Sequence, residues 1–295
     1  MKLRIAAAAA VGIILLGILA WPLAAPPDPL GTVCLLSINL TDAMALLGLA
    51  VLSGLLAYFL SQPYGRQIGI LAVPAGLAVW AIRTGNMASL IQLNPTLTHR
   101  QDLLAMLRWE PFFWLAIVAA GFAGTELAYK ILPKTNPSQF DERTSPKPNT
   151  YLNIVIALVG SFLIAQLCIK VLAQDIRAFD NKLGLVVGQP AIGQIIFAVV
   201  VSFGIAAFVV KKFLNQGYIW PIIASAFVTA FAVNIYLKQE ILQLLSQRWP
   251  AVFFANPAAS ILPLQMVAFG TIGSIWGYWL AVRYNYWRKQ QKEAN

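Results

Sequence analysis

Four amide side chains, Gln166, Gln194, Asn234 and Gln265, stand inside long apolar runs of the chain. A carboxamide both donates and accepts hydrogen bonds, so four of them converging could hold a small polar or amphipathic solute without burying a charge. The alternative is bonding between helices, worth about 0.6 kcal/mol on average in membrane bundles. Glu126 lies near the end of another apolar run, four residues before Lys130. It could act as a coupling-ion or proton site. The blander expectation is an i,i+4 pair with Lys130 that reaches the interface. Asp42, after Thr41, reads as the N-cap of its run.

Other chemistries are excluded by residue type. There is one histidine, His99, so haem held by two histidines and a helix-borne histidine metal site are both out. No glycine-rich nucleotide loop, HExxH or GxSxG occurs. No catalytic, cofactor-binding or metal-ligating residue is assigned, and no cofactor is expected. A lipid-modifying enzyme would need an interfacial cluster of His and acids. Only His99, Arg100, Asp102, Arg108 and Glu110 offer one. Cys34 and Cys168 form no CxxC and read as two thiols, not a disulfide.

The elements that must carry these residues follow from composition. Hydrophobic residues make up 59% and charged residues 11%, against about 25% charged in soluble domains. Crossing hydrocarbon takes roughly 20 apolar residues. Eight runs qualify: 5–24, 43–61, 68–83, 111–132, 151–172, 190–210, 218–237 and 264–284. The reading is an all-α, polytopic membrane helix bundle of about eight spans. The third run is short; it starts earlier, lies thin in the bilayer or is partly re-entrant. The first has the basic start of a signal peptide, and Leu23-Ala24-Ala25 resembles a cleavage site. Pro26 and Pro27 directly after it argue for an uncleaved span.

The net charge of +10 reads as loop bias, not as a nucleic-acid footprint. With eight spans and the N-terminus inside, thirteen of the 21 Lys and Arg fall on the inner side and eight outside. Cytoplasmic loops carry such an excess. Both termini are therefore expected to be cytoplasmic, in a bacterial-type plasma membrane. The tail Arg288 to Asn295 would suit anionic lipid headgroups.

The loop 133–150 (PKTNPSQFDERTSPKPNT), with four prolines, reads as a flexible cytoplasmic linker between a first membrane half, 1–132, and a second, 151–295. The halves match in outline: a basic turn after the second span, a proline in the third, then an outer segment ending in Arg-Trp. Four spans per half give a parallel 4+4 repeat. The outer segments contain LRWEPFF and QRWPAVFF. Thr98 and Gln101 have capping-box spacing before Leu103, Leu104 and Leu107. Leu237, Ile241, Leu244 and Leu245 recur at helical spacing. Both segments are expected to lie flat on the outer interface, with Arg108, Trp109, Arg248 and Trp249 as anchors. Pro111 and Pro250 should stop them, and the phenylalanines then enter the bilayer. A substrate lip or docking surface is the functional alternative.

Small residues mark helix faces that can approach closely: Gly273 and Gly277, Ala120 and Gly124, and the pairs Ala50/Gly54 and Ser202/Ala206. They pack within the chain or against another subunit. Three functional readings result. The first is a non-catalytic subunit of a larger membrane assembly, its partners being lipid and other membrane chains or itself. The second is a transporter with a pocket at the outer ends of the second-half helices. The third is a lipid-modifying enzyme.

Overall fold

The structure is a computed structural model that describes residues 1–26, 31–131 and 150–294. The proposed linker, 133–150, falls outside these except for Thr150. The fold is nearly all helix. In chain order it has α1 (Lys2–Gly12), extended by a π-helical stretch Ile13–Leu19; α2 (Leu40–Leu60); α3 (Gly65–Ile68); α4 (Ala72–Arg83); α5 (Met87–Leu93); and α6 (Leu97–Leu107). Then come α7 (Glu110–Ile131), α8 (Thr150–Leu172), strands β1 (Arg177–Asp180) and β2 (Gly184–Gly188), and α9 (Ile192–Val209). Last are α10 (Ile219–Tyr236), α11 (Gln239–Arg248), β3 (Phe253–Phe254) and α12 (Pro263–Ala294).

Seven segments are long and apolar enough to cross a membrane: Lys2–Leu19, Leu40–Leu60, Gly65–Arg83, Leu97–Ile131, Tyr151–Leu172, Ile192–Leu214 and Ile219–Tyr236. They fit a multi-pass membrane protein. The short third run does start earlier: α3, a 3₁₀ turn and α4 together make 19 residues from Gly65. The eighth expected span coincides with α12, which is 32 residues long but not among the seven. Gln265, small polar residues and interface aromatics dilute its apolar character.

The chain divides into two compact units. One comprises Met1–Gly85 and Phe112–Pro148, the other Asn86–Pro111 and Asn149–Asn295. In the first, α1 packs along α2 and α4. Its centre is a run of edge-on indoles, Trp21 to Trp80 and Trp80 to Trp114, each 6.1 Å between centroids. The Trp80 indole donates to the Gly17 carbonyl (3.2 Å), which satisfies a polar group that burial would otherwise penalise. Helices α2 and α7 meet backbone to backbone: a side chain at Gly54 would strike the Gly121 carbonyl, and one at Gly124 that of Val51.

In the second unit, α9 contacts α8 and α12, and α10 contacts α8 and α12. Gly273 sits against the Val200 carbonyl and Gly277 against that of Gly204. These glycine faces are closed within the chain. At the end of α8 and the starts of α9 and α12 lies a cap that sequence periodicity does not announce. Antiparallel β1 and β2 pair Arg177 with Val187 and Asp180 with Gly184. Their turn closes on Gly184 at φ +74°, a conformation that suits glycine. β3 adds to β2 through Val187 and Phe254.

Several local expectations are corrected. Helix α6 is capped by Thr96, whose hydroxyl accepts from the His99 N–H (3.3 Å), not by Thr98. The N-cap of α2 is Asn39, and Asp42 lies in the first turn, where Asn39 Nδ2 donates to it (3.4 Å). The phenylalanines after Pro111 do enter a long helix, but those after Pro250 form β3, and α12 starts only at Pro263. Leu103, Leu104 and Leu107 are buried as one face of α6, and α6 packs on α10 and α11. In α11 the buried pair is Leu242 and Leu245, with Ile241 and Leu244 half-buried.

Candidate functional site

Helix α8 ends in a stretch where Gln166 and Lys170, four residues apart, share one face. Leu183 and Leu185 of the hairpin and Ala255–Pro257 of the bend that follows β3 close over them. Between these elements lies a cavity of about 390 Å³ whose lining includes Gln166, Lys170 and Asn256. The Gln166 Nε2 atom is buried and has no partner among the described residues. Such a donor costs about 1–3 kcal/mol if nothing accepts from it. Asn256 caps a 3₁₀ turn, its Oδ1 accepting from the Ala258 N–H (3.0 Å). That bond fixes which end of its amide is oxygen and leaves the nitrogen end for another partner.

The roof is held by two side chains that look ordinary in the sequence. Asp180 accepts the backbone N–H groups of Lys182 (2.8 Å) and Leu183 (3.0 Å), which forms the hairpin turn. It also accepts the Trp249 indole N–H (3.1 Å), with Arg248 at 3.8 Å. The hairpin N–H groups first, then the indole and the guanidinium, hold this carboxyl below the usual carboxylate range. Gln189 is the second. Its Oε1 accepts from the Ala88 N–H (3.1 Å) of α5, and its Nε2 donates to the Ser260 carbonyl (3.0 Å). Three segments distant in sequence, 86–111, 173–191 and 238–262, are thereby joined.

Of the four amides expected to form one pocket, only Gln166 lines this cavity. Gln194 donates to the Leu172 carbonyl (3.1 Å) and caps the end of α8. Gln265 is buried and accepts from the Leu262 N–H (3.1 Å) at the start of α12. Asn234 is exposed on α10. Glu126 pairs with Arg66, not Lys130: the Nε–Oε1 distance is 2.7 Å, and Arg66 also lies 4.9 Å over the Tyr129 ring. The fold brings α3 beside α7, and both partners are about 44% exposed. Exposed pairs of this kind contribute about 0–1 kcal/mol.

The expected interfacial anchors differ in surroundings. Trp109 is 60% exposed, with the Arg108 guanidinium 5.2 Å from its ring. Trp249 is tied to Asp180 and packs against Phe253 in a tilted ring pair, 5.0 Å between centroids. In the segment considered for enzyme chemistry, His99 and Asp102 are exposed and Glu110 is buried. Arg100 donates to the Asn94 carbonyl (2.8 Å). Among the described residues no three His, Cys, Asp or Glu gather as a metal site, and no disulfide joins Cys34 to Cys168. Comparison with protein-family models, curated proteins and solved structures gives no match.

Proposed function

We propose that this chain is a non-catalytic integral membrane subunit of a larger assembly, set in a bacterial-type plasma membrane. One observation carries the reading: the hydroxyls of the second-unit spans turn back onto their own helices. Ser161 donates to Ala157, Ser202 to Ala198, Thr229 to Ser225, Thr271 to Val267 and Ser274 to Gly270, at 2.6–3.2 Å. Each of these hydroxyls spends its one donor on its own helix and has none to offer a passing solute. The bundle interior is sealed by glycine-mediated helix contacts instead. α12 supplies an eighth span, which gives an even number and cytoplasmic termini. The basic, aromatic end of the second unit supports that orientation. There Lys211 lies over Tyr278 (5.4 Å), Lys212 over Tyr284 (4.9 Å) and Arg283 over Trp287 (4.7 Å). The 4+4 repeat is supported by the matching glycine contacts of α2 with α7 and of α9 with α12.

Gentle native extraction followed by mass analysis tests the proposal. A stoichiometric set of partner chains is expected. A lone chain or a homo-oligomer would overturn it in favour of a second reading, a transporter for a small polar or amphipathic solute. The Gln166 cavity favours that second reading, and under it Gln166→Leu abolishes uptake while sparing expression.

A further inference from the structure

The lining of the cavity at the end of α8 is one-sided in its chemistry. Its lining includes Lys170, Gln166 and Asn256, whose amide oxygen is already engaged by the Ala258 N–H, and among the described residues it includes no acid. Lys170 makes no ion pair among the described residues, and the Gln166 Nε2 atom bonds nothing there. Asp180, the acid of the hairpin turn, is engaged by three N–H groups. Convergent donors with one positive charge match an oxyanion, phosphate or carboxylate, through charge-assisted hydrogen bonds. The volume of about 390 Å³ lies at the low end of small-ligand pockets, about 300–1,000 Å³.

Leu167 belongs both to the cavity wall and to the outward side of α8, where it is 66% exposed. Leu152, Ile156, Val159 and Leu163 continue that apolar stripe, each more than 40% exposed. From Leu152 to Leu167 the stripe runs about 22 Å at 1.5 Å per residue. A headgroup site thus opens onto an apolar track along a membrane span. We infer that this cavity binds the oxyanionic headgroup of an anionic lipid whose chain lies along α8. The inference goes beyond the subunit reading and, under the transporter reading, names the occupant of the same cavity; lipid binding measured without partners or uptake tests it apart from both.

The full chain in neutral detergent is titrated with phosphatidylglycerol, with phosphatidylcholine and, separately, with inorganic phosphate, and retained lipid is read by native mass spectrometry. The wild type is expected to hold one phosphatidylglycerol per chain at concentrations where phosphatidylcholine is lost. Lys170→Gln weakens that binding roughly tenfold, the scale of one charge-assisted bond. Gln166→Leu weakens it a few-fold. Lys170→Arg retains it, and Lys182→Gln, a nearby exposed charge outside the cavity, leaves it unchanged. Thermal unfolding in lipid-free micelles shows that each variant is folded; Lys170 is exposed, so its replacement leaves no buried gap. Equal losses for Lys170→Gln and Lys182→Gln, or equal retention of the two lipids, would overturn the site. Displacement of the lipid by millimolar phosphate, with the same dependence on Lys170, would show a free-anion site and overturn the lipid.

Discussion

At Asp180 one carboxylate receives two N–H groups of its own hairpin and the indole of a residue 69 positions away. Its pKa is lowered in the folded chain, so the stability it confers is complete above the ordinary carboxylate range. That contribution is lost as pH falls through the lowered value. The cap should therefore loosen in acid. Asp180→Asn should loosen it already at neutral pH and flatten the acid response, as read by proteolysis of residues 177–188 across pH. A variant as resistant as wild type at neutral pH would refute this role. Gln166 is legible in the sequence, because an amide in an apolar run demands a partner. Gln189 and Asn256 are not: in polar loops amides are commonplace, and only the fold shows which carbonyls and N–H groups they reach. Glu126 misleads for a related reason. Lys130 is near in sequence, whereas Arg66 is brought near by packing.

Among the elements, the spans are the most legible, since hydrocarbon thickness dictates a long apolar helix whatever else the chain does. The small-residue motifs are legible as contact faces, and the structure shows which helices they join. Gly277→Ile should drive a side chain into the Gly204 backbone and part α9 from α12. Overpacking of this kind costs about 1–3 kcal/mol or more. Gly160→Ala, where a Cβ meets nothing, should raise the thermal midpoint, since alanine favours helix by up to about 1 kcal/mol. Unfolding of both variants in one detergent checks the pair; equal effects would contradict the packing described. The hairpin is less legible because its strands are four and five residues long. The two Phe-Phe pairs mark the limit of local pattern. Phe112 and Phe113 continue a helix, while Phe253 and Phe254 join a sheet whose other strands lie some seventy residues earlier.

At the scale of the molecule, a division at 133–150 follows loop composition. Contacts instead group 86–111 with the second half, through Gln189 and the packing of α6 on α10. Long-range grouping of this sort leaves no periodic trace in a sequence. With α12 as the proposed eighth span, the hairpin and the C-terminal end of α12 would lie on opposite faces of the membrane. Residues 182 and 290 report this directly, since three crossings, α9, α10 and α12, would separate them, the short α11 aside. The test is labelling of single cysteines, Lys182→Cys or Gln290→Cys, in a chain whose Cys34 and Cys168 are serine, using a membrane-impermeant thiol reagent on intact cells. Position 182 is expected to be labelled from outside and position 290 only after permeabilisation. Labelling of both from the same side would contradict it.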